Sequence, residues 1–290
     1  MPNLEAWLAA GERVPVTLRG VRREIFVRTA GDGPWCTLLH GFPTSAFDWH
    51  RVFDALCIPR RVLAFDFLGF GDSDKPADHD YSIHEQADLT EQMWARSGVE
   101  STALVVHDYA VSVAQELLAR SLDGSLRVRI ERVIFMNGGL YPELHRPLRA
   151  QEMLLDPEIG PKVGELMTEE TFAASLRQTY SPSHQPSDED LSCAWRTVSR
   201  RGGAMIGYRL IRYITDRQRH RDRWVAALET SPVERAFIWG MLDPVSGAHM
   251  AERIAERLPD AELIRLDDVA HWPQLEAPDR VAANLMRMLE

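Results

Sequence analysis

Three residues of this chain, Asp108, Asp243 and His271, stand where apolar runs stop. Leu104-Val105-Val106-His107 runs into Asp108. Arg235 to Trp239 leads through Gly240-Met241-Leu242 to Asp243-Pro244, and Glu262 to Leu266 leads to the loop holding Ala270-His271-Trp272. An apolar, β-branched run that ends abruptly reads as a buried strand reaching the edge of a sheet. Asp108 is followed at once by Tyr109-Ala110-Val111-Ser112-Val113-Ala114, so strand, sharp turn and helix meet at its position. That is the pattern of a nucleophile elbow with a carboxylate at the tip. Ala110 meets the elbow's need for small flanking residues, while Val106 stands where glycine is commoner. Taken alone, an Asp between strand and helix is more often an N-cap than a nucleophile. With an acid and an imidazole at two further strand ends, the set offers a nucleophile, a base and a group to orient the base.

The rest of the chain must bring those strand ends together. Pro15–Gly20 and Arg23–Thr29 read as short strands around turn residues. Trp35–Leu39 is a buried strand running into His40-Gly41-Phe42-Pro43, where free backbone N–H groups at a strand end can serve an oxyanion or form a simple turn. Helical spacing predicts a helix over Phe47–Leu56, and the next strand is Arg61–Asp66. The loop from Phe67 to Pro76 has two glycines but no phosphate-loop or dinucleotide pattern, so it reads as a structural turn. Tyr81–Ser97 is a helix with Ser82 and Glu85 spaced as a capping box, and Arg132–Met136 is a strand ending at Asn137-Gly138-Gly139. Strands alternating with helices in this way predict an α/β fold, a doubly wound and mostly parallel sheet. The rhythm breaks near Leu140 and resumes after Thr230. The expected organisation is a core over residues 1–139, a helical cap over 140–230 inserted after the sixth strand, and a second part of the core over 231–290. Arg217, Arg219, Arg221 and Arg223, interleaved with Asp216 and Asp222, read as a solvated helix face rather than an anion site.

Composition narrows the partners. With 43 acidic and 33 basic residues the formal net charge is −10, which disfavours nucleic acid or an anionic membrane as a main partner. Cys36, Cys57 and Cys193 have neither disulfide-framework nor metal-ligand spacing and read as buried thiols. No secretory signal and no membrane-length apolar stretch stand out. A cytoplasmic protein is the expectation, with a homodimer among the states left open.

His40-Gly41-Phe42-Pro43, Asp66-Phe67-Leu68-Gly69-Phe70-Gly71-Asp72-Ser73, the elbow, Leu242-Asp243-Pro244 and His271-Trp272-Pro273-Gln274-Leu275-Glu276 together resemble the α/β-hydrolase superfamily over essentially the whole chain. The order nucleophile, acid, histidine is that of the same superfamily. An aspartate nucleophile resembles the branch that holds epoxide hydrolases and haloalkane dehalogenases. Ala114-Gln115-Glu116-Leu117-Leu118, His145-Arg146-Pro147 and Arg223-Trp224-Val225 are similar to an animal member of that branch.

The resemblance implies a cofactor- and metal-independent hydrolase. Asp108 would attack an sp³ carbon to form an ester, and His271, held by Asp243, would activate water against it. The backbone N–H groups of Phe42 and Tyr109 would receive the oxyanion. Epoxide hydrolases protonate the opened oxygen from two cap tyrosines; Tyr208 is the leading candidate here, with Tyr213 and Tyr180 looser ones. Common dehalogenases use a Trp after the nucleophile and an Asn after His-Gly, positions held here by Tyr109 and Phe42. An epoxide hydrolase acting on a small apolar or amphipathic molecule is therefore expected ahead of a haloalkane or haloacid dehalogenase. A non-catalytic binding protein is the third alternative.

Overall fold

The computed structural model describes residues 3–290. Eight strands form one sheet in the order β1-β2-β4-β3-β5-β6-β7-β8: β1 (Glu12–Leu18), β2 (Val21–Ala30), β3 (Trp35–Leu39), β4 (Arg61–Phe65), β5 (Ser101–His107), β6 (Arg129–Met136), β7 (Glu234–Gly240) and β8 (Glu262–Leu266). β3 to β8 pair in parallel, while β2 runs antiparallel to both β1 and β4. The central strands are apolar on both faces through their inner portions because both faces are covered. Leu104, Val106, Phe135 and Phe237 belong to one apolar cluster, Leu38, Val105, Ile134 and Ile238 to the other. This alternation buries every side chain of β5 from Thr102 to His107 and carries the strand to Asp108.

Two local expectations need correction. Phe47–Leu56 is not one helix: a tight turn over Ala46–Trp49 precedes a short helix over Phe53–Leu56. Ser45 Oγ accepts from the Phe47 N–H, and both the backbone N–H of His50 and its ring Nδ1 reach the Phe47 carbonyl, closing the turn before a longer helix can form. The helix Ile83–Ser97 carries half a capping box: Ser82 Oγ accepts from Glu85 N–H, but the Glu85 carboxylate is turned to His79 at 2.6 Å.

Between β6 and β7 there are helices and turns but no strand. This helical insertion returns to the sheet at several points, including Tyr213 and Ile214, which join the apolar cluster around the elbow helix (Tyr109–Asp123). Among the described residues no helix is long and apolar enough to cross a membrane. Cys36 and Cys193 are buried free thiols, whereas Cys57 is half-buried, being at the open end of its short helix.

Candidate active site

The elbow forces its tip residue out of ordinary backbone geometry. Asp108 has φ 46° and ψ −101°, a strained conformation for a residue with a Cβ. Its own N–H donates to the Asn137 carbonyl at 2.9 Å. Gly138 lets β6 come this close, since a Cβ there would lie 2.9 Å from the Asp108 carbonyl oxygen. Asp108 occupies the N-cap position of the elbow helix, yet its side chain makes no capping hydrogen bond. The carboxylate turns the other way, and Oδ2 accepts from the Phe42 N–H at 3.0 Å. Val106, at the position where glycine is commoner, fits because it lies within β5, paired with Leu39 and Phe135.

Phe42 reaches Asp108 because Gly41 has no side chain. A Cβ at Gly41 would meet His107 Nδ1 at 2.8 Å and Asp108 Cβ at 3.0 Å. His40 braces the turn: its Nδ1–H donates to the Gly41 carbonyl at 2.8 Å and its Nε2 accepts from the Phe67 N–H at 3.0 Å. Burial drives its pKa down to about 3, so the ring is neutral and this tautomer is fixed. The Tyr109 N–H opens the elbow helix beside Asp108 without a hydrogen bond to the carboxylate.

His271 comes from the loop after β8. Its Nδ1 donates to Asp243 Oδ2 at 2.8 Å, and its Nε2 faces Asp108 Oδ1 at 3.9 Å. Burial alone would lower the His271 pKa, but Asp243 and then Asp108 outweigh it and raise the imidazole to about 9. Burial would likewise raise Asp243, but His271, the Ser246 hydroxyl at 2.6 Å and the Val245 N–H at 2.8 Å hold it well below the usual carboxylate range. Asn137 adds a further bond, Nδ2 to Asp243 Oδ2 at 2.9 Å.

Several residues that frame these groups were not foreseen from the sequence. His107 Nε2–H donates to the His271 carbonyl at 2.7 Å and its Nδ1 accepts from Gln274 at 3.2 Å. Glu276 accepts from the N–H groups of Ala270, Trp272 and Ser181, fixing the His271 loop and tying it to the insertion. Arg217 corrects the expectation of a solvated arginine face. Only 2% exposed, it reaches the elbow and donates to the Asp108 backbone carbonyl at 2.8 Å and to Ser112 Oγ at 2.6 Å. Gly139 leaves it room, since a Cβ there would lie 2.5 Å from Nη1. Arg221 and Arg223 do lie at the surface, paired with Glu143 and with Glu116 and Asp123.

Asp108 and His271 open into a cavity of about 450 Å³ between the sheet and the insertion, with Phe42, Trp272, Leu210 and Val245 among its mostly apolar walls. That size is ordinary for a small-molecule site. The turn residues Gly69 to Gly71 also line it, so the loop that reads as purely structural contributes to the cavity.

None of the three cap tyrosines forms its wall. Tyr208 packs beside Gly160 with the Arg209 guanidinium over its ring at 5.2 Å. Tyr180 stacks on Trp272 and lines a separate cavity of about 190 Å³. Tyr213 is the one that approaches the elbow, its ring 4.9 Å from that of Tyr109 and 5.9 Å from that of Phe42. Burial, reinforced by the charge of Asp108, raises its pKa and keeps its proton in place.

Comparison with known proteins agrees with this architecture. Residues 37–278 match the family model described as alpha/beta hydrolase fold. The chain is 38% identical over 288 residues to the mesoderm-specific transcript homolog protein of Bos taurus, covering 96% of this chain and 85% of the relative. It is 34% identical over 289 residues to the putative hydrolase LipZ of Mycobacterium tuberculosis, covering 99% and 98%. Among solved structures, a loop variant of the haloalkane dehalogenase DbeA from Bradyrhizobium elkanii superposes with a TM-score of 0.77 at 20% identity, covering 95% of each chain. That last likeness is one of fold.

Proposed function

The chain belongs to the α/β-hydrolase fold family, and from that premise we propose that it hydrolyses an electrophilic sp³ carbon through an aspartyl ester, with an epoxide as the substrate class and a vicinal diol as the product. One observation carries the reading. Asp108 Oδ2 is held by the Phe42 N–H at 3.0 Å, while Oδ1 stands 3.9 Å from His271 Nε2, with Asp243 behind the imidazole at 2.8 Å.

A carboxylate is nucleophilic at neutral pH without help from a base. Asp108 forms a C–O bond to the ring carbon, the ring C–O bond breaks, and the oxygen left on the product takes a proton. Tyr213 is assigned as the donor because, although it lies behind the wall rather than in it, it is the tyrosine packed against Tyr109 and against Phe42, which does line the cavity, so ring opening requires its hydroxyl to reach past Phe42; Tyr208 and Tyr180 are not assigned that role. Esterification removes the Asp108 charge that helps hold His271 protonated, so its pKa falls, the imidazolium releases its proton to solvent, and a neutral ring is available as base when one is needed. His271 Nε2 then takes a proton from water as the water oxygen attacks the ester carbonyl. The oxyanion on Asp108 is received by the N–H groups of Phe42 and Tyr109. Collapse breaks the acyl C–O bond, His271 returns the proton to the departing diol, and the proton left on the Asp108 carboxyl passes to the Tyr213 phenolate, restoring both groups.

Epoxide is favoured over halide because the positions that hold Trp and Asn in common dehalogenases hold Tyr109 and Phe42 here. The indole N–H of Trp272, which does line the cavity, is spent on Thr179 Oγ1 at 2.8 Å. The free thiols fit a reducing, cytoplasmic setting.

A single turnover in ¹⁸O-water with enzyme in excess, run on a panel of terminal epoxides and 1-haloalkanes, tests this. The first-turnover product should be unlabelled, the Asp108 peptide should carry the label, and epoxides should turn over faster than halides. Labelled product would mean direct water attack. Faster halide turnover would make the protein a dehalogenase, and no adduct or turnover with any member of the panel would make it a binding protein.

A further inference from the structure

Of the chain's 33 basic residues only two are lysine, Lys75 and Lys162, and both line the cavity that holds Asp108 and His271. They arrive from different parts of the fold. Lys75 follows the glycine turn after β4 and crosses to the insertion, where its Nζ donates to the carbonyls of Arg200 at 2.8 Å and Thr197 at 3.2 Å. A Cβ on Gly203 would lie 2.7 Å from that Nζ, so the ammonium sits against the Arg200–Ile206 turn. Lys162 is exposed on the helix Gly160–Leu166. That helix packs on the same turn, since a Cβ on Gly164 would lie 2.9 Å from the Ala204 carbonyl oxygen.

Neither lysine has a carboxylate within ion-pair distance among the described residues, and Lys162 makes no hydrogen bond there. The acids around this corner are already engaged: Asp66 accepts from the N–H groups of Ala46 and Asp72, and Asp72 holds Arg200 at 3.0 Å and Arg201 at 3.5 Å. Lys75 keeps one of its three N–H donors after serving the two carbonyls. Burial pushes its pKa down to about 8, with Asp66 and Asp72 opposing; an anion beside it would restore the charged form. The cavity's only other charged wall residues are Asp108 and His271, which face one another. In a chain of net charge −10, the apolar cavity is thus left with two positive charges that the protein does not neutralise.

We propose that the substrate of this cavity is an apolar chain bearing a carboxylate head, with Lys75 and Lys162 holding the head while the chain lies along the apolar walls towards Asp108. The proposal rests on the hydrolase reading only in naming that site's substrate class. A carboxylate suits the site because it accepts from the remaining donor of Lys75, while its charge is drawn by the exposed Lys162 ammonium on the same cavity.

The test is equilibrium binding, which needs no turnover. Decanoate and 1-decanol are titrated calorimetrically into the full-length wild type, Lys162→Gln and Lys75→Met, each checked for folding by circular dichroism. In the wild type decanoate should bind at least about 10-fold tighter than the alcohol, the scale of one charge-assisted contact. Raising the salt should shrink the difference, because Lys162 is exposed. Lys162→Gln should reduce the preference several-fold and leave decanol affinity unchanged; where Lys75→Met folds, it should do the same. Equal affinity for the two probes in the wild type, or a full preference surviving in Lys162→Gln, overturns the proposal. Asp108→Asn should keep the decanoate preference. Absence of any adduct or turnover in the wild type with the decanoate preference intact would remove the hydrolase reading and leave this one standing, and a labelled Asp108 peptide with equal affinity for the two probes would do the opposite.

Discussion

At the scale of single residues, His271 and Tyr213 carry the sharpest expectations. The imidazole is raised to about 9 by Asp243 and Asp108, so at neutral pH it rests as the cation facing the Asp108 carboxylate. In the proposed mechanism, replacing it with glutamine removes the base of the second step but not the nucleophile of the first. His271→Gln should therefore accumulate an ester, read by mass spectrometry as protein heavier by one substrate. Asp243→Asn should slow ester hydrolysis and leave ester formation more nearly intact. The tyrosines separate by position. Tyr213→Phe should lower epoxide ring opening by about 10²-fold or more, within the range of general acid catalysis, while any halide turnover is much less affected. Tyr208→Phe, at a residue whose Cβ packs beside Gly160 and which does not line the cavity, should leave both unchanged. Equal rates for wild type and Tyr213→Phe in rapid-quench measurements would remove the proton-donor assignment.

At the scale of elements, the site depends on backbones that approach more closely than side chains allow. Gly41→Ala puts a methyl 2.8 Å from His107 Nδ1 and 3.0 Å from Asp108 Cβ, two groups locked by their own hydrogen bonds. The Phe42 N–H must then move away from the carboxylate. The expected result is a fall of roughly 10² to 10³ in ester hydrolysis, the cost of one oxyanion donor, with about 1 to 3 kcal/mol of stability lost to overpacking. Arg217 couples the insertion to the elbow in the same way. Arg217→Met would leave the Ser112 hydroxyl and the Asp108 carbonyl buried without their partner, costing on the order of 2 to 4 kcal/mol, read as a lower urea midpoint. These contacts also show what sequence reading reaches. A charged residue at the end of an apolar run is a local signal, and the positions were legible because Asp108 ends one strand directly while Asp243 and His271 stand in the loops that follow two others. Asn137 stood at a strand end too, in Asn137-Gly138-Gly139, and could have been singled out by the same rule. Arg217 looked like its surface neighbours Arg221 and Arg223, because nothing within a few residues of it marks the elbow as its partner. Lys75 was hidden for the same reason, inside a turn read only for its glycines, and the break in the Phe47–Leu56 helix came from hydrogen bonds that propensity does not encode.

At the scale of the whole molecule, the charged site makes stability depend on pH in a window that can be isolated. His271 is only 5% exposed, and its pKa rises from about 6.5 in the unfolded chain to about 9 in the fold. A raised pKa means the folded state holds the proton more tightly. Its contribution is complete below the unfolded value and disappears as pH climbs through the folded one. Between pH 7 and 8.5 the folded imidazole stays mostly charged while the unfolded one is mostly neutral, so stability should fall by roughly 1.4 kcal/mol per pH unit, on the order of 2 kcal/mol across the window. The buried histidines His40 and His107, each lowered to about 3, are neutral in both states there and add nothing. Their contribution is present above about 6.5 and is lost only on acidification. Lys75, lowered to about 8, acts in the opposite direction: above that value the unfolded chain holds its proton more tightly and stability rises with pH. A direct reading of the wild type would mix the two effects. Comparing wild type with His271→Gln removes the mixture, since Lys75 is common to both and makes no hydrogen bond to His271. The difference between their urea unfolding free energies should shrink by about 2 kcal/mol from pH 7 to 8.5. A difference that stays constant across that range would mean His271 is not held as a cation between Asp243 and Asp108, and the resting state assigned to the site would have to be abandoned.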